Sequence, residues 1–173
     1  MANTVKLAPQ LYSAMPRTGI PGMKSDYRSC ALLTTDLITT QIVAIGILPA
    51  MHLLVGFFLE SDQLDTGTGI TITVGLLNSY WNYPLASGTV AGWDSGSSPV
   101  LATGYNIIAA NTIGQTGGRV SNTTLEYTQK IGIDNLHDRI IGVQFAAVPT
   151  TAQAGNIYSI ALIDMPYTTL ASV

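Results

Sequence analysis

Few side chains in this sequence are of the types that do chemistry, and their spacing assembles no recognisable site. The two histidines are His52 and His137. His52 lies inside the apolar run Met51–Leu59. A histidine there, with one nitrogen satisfied, reads as a core or interface residue and not as a ligand. His137 precedes Asp138 in the polar turn NLHDR. A Ser-His-Asp site would also need an exposed serine beside oxyanion donors, and the sequence has no G-x-S-x-G. Glu60, Asp62 and Asp65 crowd one loop and could hold Ca²⁺, but their spacing is not that of an EF-hand. The plainer reading is a solubilising loop. Cys30 is the single cysteine, which excludes an internal disulfide and a multi-cysteine metal cage. It reads as a small buried hydrophobe. No Gly-rich phosphate loop opens a helix. The expectation is no catalytic set, no metal, no cofactor and no enzyme. Asn122-Thr123-Thr124 forms a glycosylation sequon. MANTVKLAPQ lacks the apolar segment of a secretory signal, so the sequon reads as idle.

The aromatic stretch is more informative. Tyr80, Trp81, Tyr83 and Trp93 fall in Asn78–Pro99, which reads as a long loop. Such residues can close the end of a sandwich or pack between subunits. They can also anchor a protein partner or stack on sugar rings. The sequence leaves these readings open.

Apolar residues make up 47% of the 173 residues and charged residues only 10%. The usual charged share is about 25%. A chain so poor in charge is expected to cover much of its surface with partners. Residues 1–28 hold four basic residues against one acid, a net +3; the remainder holds three bases and nine acids, a net −6. Arg119, Lys130 and Arg139 are too scattered for a nucleic-acid patch. Ile42–Leu59 has 18 residues without a charge, close to a membrane-spanning length. Pro49 interrupts it centrally, so it reads as two strands and no membrane segment.

The elements that would position these residues are strands. Ile70, Ile72, Val74 and Leu76 alternate with Thr71 and Thr73, a period of two. Met51–Leu59 and Ile70–Leu77 flank the polar loop Glu60–Gly69 and read as an antiparallel pair. Ser29–Thr35 and Gln41–Ile47 read as strands joined at Asp36–Thr40. Val100–Ala110 and Thr124–Ile133 read as strands across the turn region Asn111–Ser121. Arg139–Ala147 and Asn156–Ile163 form a final pair. Gly56 and Gly75, inside strands, mark close approach. About eight strands and no long amphipathic helix define an all-β, two-sheet antiparallel β-sandwich. Residues 1–28, broken by Pro9, Pro16, Gly19, Pro21 and Gly22, read as an extended N-terminal arm. Residues 29–173 form the sandwich domain.

Three segments resemble a known family. They are LPAMHLLVGFFLESDQLDTGTGITITVGLLN (48–78), YNIIAANTIGQTGG (105–118) and DRIIGVQFAAVPTTAQAGNIYSIALIDMPY (138–167). Leu48-Pro49-Ala50, Leu64-Asp65-Thr66-Gly67 with Val74-Gly75, and the closing unit Asp138–Tyr167 carry the likeness, over about half the chain. They resemble the capsid decoration, or cement, proteins of tailed bacteriophages. The resemblance implies a jelly-roll-like sandwich, trimeric, on the outer surface of a virion capsid. It implies the major capsid protein as partner and a mechanical role, bridging shell subunits. On this reading Leu11, Tyr12, Met15, Arg17, Lys24 and Arg28 of the arm, with Trp81 and Trp93, are the expected capsid or inter-subunit contacts. The alternative is a carbohydrate-binding module or fibre-type head protein using loop 80–93.

Overall fold

Among the described residues, ten strands, one turn of α-helix and one 3-10 turn account for the regular structure. The computed structural model describes residues 4–8, 24–49, 52–82, 92–93, 101–123 and 138–164. The strands are β1 (Thr4–Leu7), β2 (Lys24–Leu32), β3 (Gln41–Leu48), β4 (Leu53–Ser61), β5 (Thr71–Asn82), β6 (Gly92–Trp93), β7 (Leu101–Asn111), β8 (Gly118–Asn122), β9 (Arg139–Ala147) and β10 (Gly155–Asp164). Helix α1 (Ile113–Thr116) precedes β8, and the 3-10 turn is Thr34–Asp36.

The strands form two sheets. One runs β1-β3-β9-β5, with β6 and β7 both pairing with β5; the other runs β2-β10-β4-β8. Every pairing is antiparallel except β1 with β3. The chain changes sheet at each connection from β2 to β5 and again from β7 to β10. Along these connections consecutive strands face each other across the core and do not sit side by side. The chain is therefore an all-β, two-sheet sandwich, as the alternation implies.

Burial follows pattern. β10 alternates, with Ile157, Ser159, Ala161 and Ile163 inward and Tyr158, Ile160 and Leu162 half-buried on the outer side. β3 is a continuous apolar run after Gln41 and is buried at all eight positions. Phe57 of β4 and Phe145 of β9 are the largest fully buried side chains. The Ser159 hydroxyl donates to the Ile45 carbonyl at 2.8 Å, which ties β10 to β3 in the opposite sheet.

Three expectations about pairing need correction. Met51–Leu59 and Ile70–Leu77 correspond to β4 and β5, which lie in opposite sheets and do not pair. The same holds for β2 with β3 and for β9 with β10. Period-two patterning reveals which face of a strand is apolar; it does not reveal the partner strand. The expected loop 78–99 is also partly strand. β5 continues through Asn82 and its backbone pairs with β6, Trp81 opposite Trp93. The expected strand Thr124–Ile133 lies outside the described residues. His52 precedes β4 and does not lie within it; its N–H donates to the Pro49 carbonyl at 3.2 Å. Among the described residues no helix is long and apolar enough to cross a membrane.

β2 begins at Lys24, so a division after residue 28 cuts through the strand. The last Pro or Gly before β2 is Gly22, and from residue 24 burial alternates along the strand. Asp26 and Arg28 occupy inward positions there, and charge at those positions hides the strand from a search for apolar alternation. Near the chain start, β1 lies parallel to β3 with Thr4 opposite Gln41. The Ala8 N–H continues the ladder to the Ala44 carbonyl at 3.0 Å.

Candidate functional site

The three acids at the end of β4 and in the loop after it take three separate roles. Asp65 is fully buried. Its Oδ1 accepts from the N–H groups of Gly67 at 2.8 Å and Thr151 at 2.7 Å. Its Oδ2 accepts from Gly69 at 2.9 Å, Ile70 at 3.0 Å and Thr150 at 3.0 Å. Three donors belong to its own loop and two to the loop between β9 and β10. The carboxylate thus fastens together two crossings at one end of the sandwich. Burial pushes its carboxyl up, but the N–H donors of Thr151, Thr150, Gly67 and Ile70 outweigh burial and hold it well below the usual carboxylate range. Asp62 instead accepts from the Asn156 N–H at 2.7 Å and its amide nitrogen at 3.0 Å. Glu60 faces outward and accepts from Arg119. Among the described residues no three His, Cys, Asp or Glu side chains are placed to hold a metal ion.

Gly69 is required by this packing. A Cβ there would lie 2.6 Å from the Val148 carbonyl oxygen and 2.9 Å from the Thr150 nitrogen. Both are backbone atoms, so no rotamer change relieves the clash. Gly69→Ala should destabilise the protein by about 1–3 kcal/mol in urea denaturation. An unshifted midpoint would mean that the β9–β10 loop yields freely. The close approach expected at Gly56 is milder, since its Cβ would meet the Cδ1 of Leu162 at 3.2 Å, a side chain able to turn.

The outer face of the β2-β10-β4-β8 sheet carries a different kind of site. Ile160 of β10 lies between Tyr27 of β2 and Phe58 of β4. Tyr158, two residues along, lies opposite Glu60, which lies opposite Arg119 of β8. Arg119 donates to one Glu60 oxygen through Nη2 at 2.7 Å and Nε at 3.2 Å. With Asp62 these side chains line an open trough of about 360 Å³. Tyr27 is 58% exposed. Sequence reading missed this site, because its members come from four strands whose order the alternation does not encode. The available signal was aromatic residues at polar-face positions, Tyr27 in β2 and Tyr158 in β10.

The residues picked out from the sequence are only partly among the described ones. Leu11, Tyr12, Met15 and Arg17 lie outside the described residues. Lys24 opens β2 and is half-buried. Arg28 is buried, and its Nε donates to both Asp26 oxygens at 2.8 and 2.9 Å. Lys6 pairs with Asp36 of the sandwich. Lys6 and Arg28 are thus both paired with the chain's own acids. Trp81 and Trp93 are brought together as backbone neighbours. Asp138 is buried, while His137 lies outside the described residues. Cys30 is buried in β2, and burial pushes its thiol up, with Lys6 opposing and Asp36 adding. The sequon residue Asn122 donates its side-chain amide to the Ile107 carbonyl at 2.8 Å.

No family model and no curated protein matches the chain. Solved structures do. A chain in the capsid of Ralstonia phage GP4 superposes with a TM-score of 0.63 and 25% identity, over 93% of this chain and 97% of that one. A chain in the capsid asymmetric unit of cyanophage Pam1 gives a TM-score of 0.53 and 21% identity, over 88% and 92%. The second likeness is one of fold. Along nearly its whole length, this chain is similar to chains found in two phage capsid structures.

Proposed function

We propose that this chain is a structural protein of a tailed-phage virion that decorates and stabilises the outer surface of the capsid. The observation that carries the reading is the near end-to-end likeness to a chain in the capsid of Ralstonia phage GP4. The decoration role rests on the sequence resemblance, and the low charged fraction of 10% supports a surface largely covered by partners. The mechanism is mechanical. Each copy spans neighbouring copies of the major capsid protein, and no covalent bond is made or broken. Binding the assembled shell but not loose subunits stabilises the shell by mass action. The protein acts as a trimer. Leu11, Tyr12, Met15, Arg17 and Lys24, with Trp81 and Trp93, are its proposed contacts with capsid or neighbouring protomer. Arg28 leaves that set because it is buried against Asp26.

Co-sedimentation with expanded empty capsids tests this. The purified protein should pellet with shells, saturate, and raise the temperature at which they come apart. Protein that stays in the supernatant at saturating concentration sinks the decoration reading. Sedimentation equilibrium should return the trimer mass, and a monomer across a wide concentration range counts against the trimer.

A further inference from the structure

We infer that the trough on the outer face of the β2-β10-β4-β8 sheet is a binding site for a neutral carbohydrate. Its floor is Phe58, Tyr158 and Ile160, with Tyr27 at one side and Glu60, Asp62 and Arg119 at the other. The composition selects among ligands. Two phenol groups, two carboxylates and a guanidinium surround only two purely apolar side chains. An apolar peptide seated there would leave those polar groups facing hydrocarbon without partners, which is costly. A sugar ring meets both demands. Its C–H face packs on aromatic rings, and its hydroxyls donate to carboxylates and accept from tyrosine and arginine. The Glu60–Arg119 pair is already formed and exposed, so each partner is held in place while retaining free hydrogen-bonding positions. Charge narrows the choice further. Glu60 and Asp62 outweigh Arg119, which disfavours anionic sugars and phosphates. The volume, about 360 Å³, is at the lower end of small-molecule sites and suits a mono- or disaccharide unit. The backbone of Trp81 and Trp93 belongs to the opposite sheet, in β5 and β6.

The test is an NMR titration of the intact protein with a panel of neutral disaccharides: maltose, cellobiose, lactose, mannobiose and diacetylchitobiose. At least one should produce saturable amide shifts confined to Tyr27, Phe58, Glu60, Arg119, Tyr158 and their neighbours. Tyr158→Ala should weaken that binding about tenfold or more, the loss of one stacked ring. Arg119→Ala, at an exposed position on edge strand β8, should weaken it without threatening the fold. Absence of saturable shifts across the panel overturns the proposal. So do shifts centred elsewhere, or unchanged affinity in both variants. Co-sedimentation with empty capsids is run on the same variants. Loss of shell binding by Tyr158→Ala, with no sugar bound by the parent protein, would make the trough a protein interface. Sugar binding by a protein that ignores capsids would leave this site standing and remove the decoration reading.

Discussion

Replacing Asp65 by Asn is expected to be the most damaging single polar substitution in this protein. The side chain accepts five backbone N–H bonds between 2.7 and 3.0 Å, from two loops that are distant in sequence. An amide keeps one acceptor oxygen and replaces the other with a donor. The donors on that side would then face an NH₂ group inside a fully buried site. Buried donors without acceptors carry the full cost of lost hydration. The melting temperature should fall by on the order of 10 °C. The acid limb provides a second and more specific readout. The carboxyl is held below its usual range in the folded protein. Its stabilisation is therefore complete above the unfolded value, about pH 4, and is lost as pH falls through the folded value. Melting temperature measured against pH should show the parent losing its advantage over Asp65→Asn progressively below about pH 4. Parallel curves down to the acid limit would show that the carboxylate charge is not what holds the loops.

How much of this was legible in the sequence differs by element. The run IVAIGIL in β3 and the alternation in β10 announced buried and half-buried strands, and both are present. Strand partners were not announced. A polar loop such as 60–69 looks the same whether it turns back within a sheet or crosses to the other one. Asp65 shows the same limit at one residue. From sequence it groups with Glu60 and Asp62 as surface acid, yet only Asp65 turns inward. A local signal existed, since Asp followed by Thr-Gly-Thr-Gly favours a side chain that caps its own loop. The second half of its shell, Thr150 and Thr151, was beyond any local signal. The aromatic trough needs still more, because Tyr27 and Tyr158 become neighbours only once β2 is known to flank β10.

Truncation at the two candidate boundaries should give opposite results. Removing residues 1–28 deletes the first five residues of β2, with Asp26 and Arg28. Those residues pair with Ser159 to Ile163 of β10, the neighbouring strand of the same sheet. Without them the inward side chains of β10, including Ala161 and Ile163, lose their lateral cover, and five ladder positions of β10 face water. The shortened chain should fail to fold, or show a broad melt without near-ultraviolet signal. Removing residues 1–23 is a different cut. It leaves β2 whole and takes away β1, its parallel ladder on β3 and the Lys6–Asp36 pair. β1 is only four residues and lies at the sheet edge, so the remaining sandwich should stay folded with a melting temperature lower by several degrees. Circular dichroism of both truncations decides the matter. A cooperative melt for the chain starting at residue 29, matching the intact protein, would mean that the half-strand 24–28 is dispensable and that the sandwich does begin near Ser29. If instead only the chain starting at residue 24 folds, it becomes the proper reagent for capsid co-sedimentation. Any loss of shell binding it shows then belongs to residues 1–23, and not to a damaged sandwich.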